Sequence, residues 1–201
     1  SRIIFDSKVG ISDVRKNYNL LNPYEYALAL NDIRGAGTIS DDDMALYKSG
    51  EKGIDWVDQL TRTAVTQDYN LSMSGGNNKV RYMISGNVLD QEAITIRHKY
   101  MRYGLRTNID AEVKPWLTVS TKLNGSVLHK KNTTPNWFHV LNYSPTMELK
   151  DATSGIYNKD PYNILSNNPY GVVMETDSDN YGYTLNANMQ LLFRIVKGLT
   201  L

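Results

Sequence analysis

The sequence predicts an all-β fold, an antiparallel up-and-down meander with short helices in its long connections. Two observations carry that expectation. First, the stretch Lys79–Asn124 holds three segments of period-2 alternation. In the first, Val80, Tyr82, Ile84 and Val88 share a face opposite Arg81, Ser85 and Asn87. In the second, Tyr103, Leu105, Thr107, Ile109, Ala111 and Val113 oppose Arg102, Arg106, Asn108, Asp110 and Glu112. In the third, Leu117, Val119, Thr121 and Leu123 oppose Thr118, Ser120, Lys122 and Asn124. Successive side chains of a strand point to opposite sides, so each segment reads as a long two-faced strand. Second, the connections alternate in length. Long spans (6–66, 130–180) and a medium one (92–99) interleave with short turns at Gly75–Asn78, Lys114-Pro115 and Lys197-Gly198. All short turns therefore fall at one end of the meander.

Taken in order, Ser1–Phe5 reads as a short β-like run and Asp6–Asn19 as polar and turn-rich. Asn22-Pro23 opens a helix, because Asn caps well and Pro suits the first helical position. Gly35 and Gly37 end it. Ser40 caps a second short helix through Tyr47, and Asp55–Arg62 forms a third helical turn around Trp56. Gln67–Gly75 is a strand with Tyr69, Leu71 and Met73 on one face. The 130–180 connection contains a short helix near Pro135–Leu141. Tyr181–Val196 is again a strand, with Leu185, Met189 and Phe193 opposite Asn186 and Gln190, and Leu199–Leu201 begins another.

Composition narrows the function classes. The 201 residues carry 22 basic and 21 acidic side chains, net +1, which gives no general attraction to nucleic acid. There is no cysteine, hence no disulfide framework, thiol nucleophile or thiolate metal site. No apolar run is long enough for a transmembrane helix. A β-barrel span escapes that test, because its hydrophobicity alternates. Short turns at one end, long loops at the other and aromatics near strand ends (Tyr69, Tyr100, Tyr103, Trp116, Tyr181, Tyr183) form the outer-membrane barrel pattern. A soluble sandwich with long loops is the structural alternative, and a non-transporting surface β-protein that binds glycan or protein is the functional one. Ser-Arg-Ile-Ile-Phe reads as the end of a strand, so the chain reads as a piece of something longer.

Several blocks resemble SusC/RagA-like TonB-dependent outer-membrane transporters. They are Asn22-Pro23-Tyr24-Glu25-Tyr26-Ala27, Asp55-Trp56-Val57-Asp58-Gln59-Leu60 with Arg62-Thr63-Ala64, and Ser72-Met73-Ser74-Gly75-Gly76. Asp90-Gln91-Glu92 followed by Ala93, where the family usually has glycine, continues the series, as do Arg102-Tyr103, Arg106 and Asn108-Ile109-Asp110. The resemblance spans about Asn22–Ser126. It implies the early part of a large barrel of about 22 strands, closed by a plug that this chain does not hold. It implies import of an oligosaccharide or peptide, a SusD-like lipoprotein lid, energy from the TonB complex through the plug, and contact with outer-membrane lipid. It implies no enzyme and no cofactor.

Other chemistries have weaker signals. Asp41–Asp43 has the composition of a calcium cluster, yet acidic residues in a first helical turn also favour the helix dipole. His98, His129 and His139 show no ligand spacing, so no metal site is expected. Gly75-Gly76 lacks the Lys-Ser/Thr of a phosphate loop, and no G-x-S-x-G is present. Asp110 and Glu112 could act as a carboxylate pair, but Arg102 and Arg106 share their face, and Lys122 lies on the matching face of the next strand. Ion pairs in a barrel lumen and plug contacts are the expected use of all five. The aromatic and Asn-rich 130–180 loop is the expected substrate or lid contact, through Trp137, Tyr157, Tyr162, Tyr170 and Asn136. Flat rings stack on sugars or apolar side chains, and amides both donate and accept.

Overall fold

The computed structural model describes residues 1–15, 18–161, 167–196 and 199–200. Seven antiparallel strands lie in sequence order: β1 (Arg2–Ser12), β2 (Ala64–Gly76), β3 (Val80–Glu92), β4 (Lys99–Lys114), β5 (Leu117–Lys131), β6 (Asp179–Val196) and β7 (Leu199–Thr200). Among the described residues, five short helices occupy the long connections. They are α1 (Pro23–Arg34), α2 (Asp41–Ser49) and α3 (Trp56–Gln59) before β2, and α4 (Trp137–Asn142) and α5 (Pro169–Glu175) between β5 and β6.

Parity holds from strand to strand. Tyr82 faces Ile109, Ile109 faces Thr121 and Thr121 faces Met189. Leu71 likewise faces Gly86, then Leu105, Gly125 and Leu185. The apolar set of each strand therefore extends its neighbour's across the sheet. Positions such as Tyr82, Val88, Ala111 and Val119 are half-buried, but much of the face is open: Phe5 is 62 % exposed, Leu105 59 %, Leu185 77 % and Met189 66 %.

The first strand is longer than its sequence suggests. The 6–66 loop was expected to start at Asp6, but β1 runs on to Ser12, paired with Ala64. The polar residues that read as turn-rich are half of an alternation. Ile3, Phe5, Val9 and Ile11 pair with the apolar-side positions Met73, Leu71, Gln67 and Val65, while Asp6 and Lys8 lie opposite Asn70 and Asp68 on the other face. Ser7 on the apolar face and Ile4 on the polar face obscure the pattern. The β4–β5 turn is Pro115-Trp116, one residue later than expected, with a bulge between Glu112 and Lys114. Lys197, Gly198 and Leu201, expected to turn the chain and continue the next strand, lie outside the described residues.

Among the described residues, buried apolar side chains are found in the loops, with Ala64 at the very start of β2 the one exception in the sheet. Trp56, Val57, Leu60, Val140, Tyr143 and Val173 form one cluster, with Ile96, Trp137, Leu141 and Tyr170 packed against it. Three connections contribute: residues 13–63, 93–98 and 132–178. Local signals set up the pieces. Asn22 caps α1 in a reciprocal capping box with Glu25, and Ser40 caps α2. Asn168-Pro169 starts α5, unforeseen in the sequence although it repeats the Asn22-Pro23 signal. Hydrogen bonds then join the loops. Trp56 Nε1 donates to the Ser144 carbonyl at 2.9 Å, Tyr47 Oη to the Thr146 carbonyl at 2.9 Å, and Ile54 N to the Pro145 carbonyl at 2.9 Å. Arg62 donates to the carbonyls of Ala93 and His98 and pairs with Glu92 at 3.5 Å. The Arg97 guanidinium bonds the Met174 carbonyl.

Gly171 offers a check of this packing. A Cβ there would lie 2.7 Å from Tyr157 Cγ, too close to the ring root for a rotation to relieve. Gly171→Ala gains helix propensity of up to about 1 kcal/mol, but overpacking typically costs about 1–3 kcal/mol. The variant is expected to speed hydrogen exchange across 149–175 and leave the strands unchanged. Unchanged or slower exchange in that segment would show that Tyr157 does not sit on α5.

Candidate functional site

The three loops converge on one end of the sheet and form a cap. Its interior combines buried apolar side chains with buried polar ones, Ser144, Thr146, Asp160 and Asn168 among them. The Tyr143 phenol is buried, its Oη donating to the Asn158 carbonyl at 2.6 Å. Burial, and next the nearby Asp160 carboxylate, push its pKa up to about 12, so it stays a donor. The Trp56 and Tyr143 rings meet edge to face with centroids 5.0 Å apart. On the cap surface, Lys52 joins Asp43 at 2.9 Å and Glu148 at 3.4 Å, linking α2 to the 132–178 loop. The hydrogen bond from Lys52 holds the Asp43 carboxyl below its usual range and raises the ammonium in return. Asp43 thus belongs to an ion pair, and Asp41–Asp43 to the first turn of α2.

The aromatic residues expected to touch a ligand have definite places. Tyr157 and Tyr170 are together, ring centroids 6.1 Å apart and planes tilted 56°, with Lys150 Nζ 4.5 Å from the Tyr157 ring centre. Trp137 is half-buried against the cap core. Asn136 caps α4, its side chain accepting from Phe138 N at 3.1 Å. Tyr162 lies outside the described residues. Among the described residues, the ring this loop presents most openly is Phe138, 73 % exposed.

A cleft that the sequence did not signal opens beside α1. Its volume is about 520 Å³, and its walls come from 18–23, 54–57 and 140–145. Leu20, Leu21 and Tyr18 form an exposed lip, while Trp56 and Tyr143 stand at the back. The signal that could have found it is Tyr18 with the Leu20-Leu21 pair just before the Asn22 cap.

Below the cap, charges divide by face. On the apolar side they pair within the chain: Lys99 with Asp90 at 2.9 Å, and Asp179 with His129 at 2.8 Å and Lys131 at 3.7 Å. His129 also stacks on Tyr181 at 4.4 Å. On the polar side, Arg102, Arg106, Asp110, Glu112 and Lys122 share one face across β4 and β5. The ion pairs expected among them do not form, and none of the five enters an ion pair among the described residues. Residues on one strand that share its face stand about 7 Å apart per step of two, and no oppositely charged pair of the set is directly opposed across β4 and β5.

No family model matches the chain. It is 24% identical over 170 residues, 76% of its length, to the TonB-dependent receptor P3 of Formosa agariphila, where the match covers 16% of that protein. It is 27% identical over 107 residues, 53% of its length, to the TonB-dependent receptor SusC of Bacteroides thetaiotaomicron, covering 10% of it. The chain thus spans a small part of these relatives. Among solved structures it resembles the RagAB peptide transporter (TM-score 0.72, 19% identity, 98% of this chain and 26% of that one). It also resembles the RagAB peptide importer in its open-open state (TM-score 0.71, 20% identity, 99% and 26%). At these identities the structural likeness carries the fold.

The loop that holds the cap to β3 and β4 should be acid-sensitive. Burial first, then the nearby Lys130 ammonium, lower the pKa of His98. On acidification the unfolded loop therefore binds a proton before the folded one. Stability is full above the unfolded value of about 6.5 and falls as pH drops below it. Amides of 93–98 should lose protection between about pH 7 and 5 once intrinsic exchange is corrected, and His98→Gln should flatten the slope. An equal slope in both proteins would assign it to another group.

Proposed function

We propose that this SusC/RagA-like chain is a section of the barrel wall, with its external loops, of a TonB-dependent transporter in the outer membrane of a Bacteroidota-type bacterium. The observation that carries the reading is the uncovered apolar face of the sheet. Along β4 that face runs from Tyr103 to Val113, a rise of roughly 34 Å at the antiparallel spacing. Tilted by about 35–45°, as barrel strands are, it spans about 24–28 Å, the height of an outer-membrane apolar band. Tyr69, Tyr103 and Tyr183 fall in one cross-strand row at its upper edge. Trp116, stacked on Phe193 with centroids 6.2 Å apart, marks the lower edge. A soluble sandwich would need a second layer over this face, and the described residues supply none.

In this reading Leu105, Ile109, Val119, Leu123, Leu185, Met189 and Phe193 meet lipid. Arg102, Arg106, Asp110, Glu112 and Lys122 line the lumen, with Asn186 and Gln190 further along the same face. The loop cap is extracellular, and the turns at Asn77 and Pro115-Trp116 are periplasmic. The cap is where a SusD-like lipoprotein and an oligosaccharide or peptide would be met, through Trp137, Tyr157, Tyr162, Tyr170 and Asn136. Coupling to the TonB complex would run through a plug elsewhere in the protein.

Two experiments test this. Arginine at Met189 or Leu185 in the full-length protein should cost roughly 2–4 kcal/mol in bilayer folding titrations, while arginine at Asn186 or Gln190 costs far less. Equal tolerance on the two faces would remove the barrel reading. For the cap, alanine at Trp137, Tyr157 and Tyr162 singly, at normal membrane levels, should lower substrate uptake or release the lipoprotein. Should every variant import and hold its partner like the parent, the contact surface lies elsewhere.

A further inference from the structure

The polar face carries more positive charge than the nearly neutral chain suggests. On β3–β6 it presents Arg81, Arg102, Arg106, Lys122, Lys130 and Arg194 against only Asp110 and Glu112. On β1 and β2 the same face is balanced, Arg2 and Lys8 against Asp6 and Asp68. The excess is therefore local to four adjacent strands.

Charges on this face also differ from those on the other in how they are satisfied. Lys99 and Lys131 each have a carboxylate partner within 4 Å. The six polar-face cations have none among the described residues. Arg81 stands directly opposite Asp110 in the register and still makes no ion pair with it. The neighbours of the cations are mostly neutral and hydrogen-bonding. Ser85 and Asn124 flank Arg106, and Asn108 and Asn188 flank Lys122.

The register orders these cations along the wall. Lys130 and Arg102 lie nearest the cap, then Arg106, Lys122 and Arg81, and Arg194 reaches the turn end beside Trp116. They form a descending track over the height of the sheet, while both carboxylates lie in its lower half. We infer that this track receives a solute bearing several carboxylates, an acidic oligosaccharide or an acidic peptide. The inference rests on the proposed transport reading, which makes this face a lumen wall. Charge complementarity supports it, since a polyanion supplies the partners that the chain withholds. Its succession of similar sites also suits a solute that moves better than a surface that stays. The amides and hydroxyls between the cations would accept and donate to whatever backbone links the carboxylates.

The test uses the full-length protein purified in detergent and two matched probe pairs. One is an oligoglutamate peptide and its glutamine isostere. The other is a galacturonate oligosaccharide and its methyl ester. Calorimetry should show at least one acidic probe binding about tenfold or more tighter than its neutral match. That preference should fade with salt and vanish in the triple variant Arg81→Gln, Arg106→Gln, Lys122→Gln. Which pair shows the preference identifies the backbone. No acidic preference in either pair, including no binding at all, overturns the inference. So does a triple variant that keeps the preference. A variant that weakens acidic and neutral probes alike and melts earlier also overturns it, by showing that the cations hold another part of the protein. Acid-selective binding without uptake by cells would leave the track standing and remove the transport reading instead.

Discussion

Register parity is the constraint on which the rest of this structure depends. Each pairing from β1 to β6 sets apolar positions beside apolar positions, so that Ile3, Met73, Ile84, Thr107, Leu123 and Ala187 form one cross-strand row. A slip of one residue in any strand would carry its whole apolar set to the opposite face. Tight turns enforce the register at one end. Asn77 Oδ1 accepts from Lys79 N at 2.8 Å and Val80 N at 2.9 Å, closing the β2–β3 hairpin. The bulge before Pro115 lets β4 turn into β5 with parity kept.

Because parity is held, the sheet is two-faced without being half-buried. In the proposed reading its apolar face would meet hydrocarbon, and backbone groups within the ladder are satisfied by neighbouring strands, as a span through lipid requires. The side-chain core has moved to the loops. There, three connections that could not order themselves separately share the cluster around Trp56, Leu60, Val140 and Val173. The cap is thus coupled to the sheet through Arg62, which ties the start of β2 to the β3–β4 loop.

The two faces handle charge in opposite ways. Lys99 and Lys131 lie side by side in the register, a repulsive arrangement, and each is relieved by its own carboxylate, Asp90 and Asp179. No such relief is built around Arg102, Arg106 or Lys122. In the proposed barrel this division has a reason: a charge that faces hydrocarbon or its boundary must be neutralised within the chain, whereas one that faces water need not be.

How much of this was legible depends on the range of the interaction. Strand alternation in β2–β6, the Asn22 and Ser40 caps, the β2–β3 turn and the division into polar and apolar faces are properties of neighbouring residues, and the sequence by itself determined them. The SusC/RagA-like blocks were legible for the same reason, being local runs. β1 was half hidden because Ser7 on its apolar face and Ile4 on its polar face interrupt the alternation, and only pairing with β2 resolves it. Tertiary structure alone decided the rest. It turned Trp137 and Tyr170 toward the cap core, gave Asn136 a capping role, opened the cleft behind Leu20 and Leu21, and left the polar-face cations without partners. Those outcomes depend on which residues of separate loops and strands meet in space, and on side-chain directions that opposing charges in one register do not dictate. Arg81 and Asp110 sit opposite one another and do not pair, because adjacency along a ladder fixes where two Cα atoms lie and not where two charged ends point.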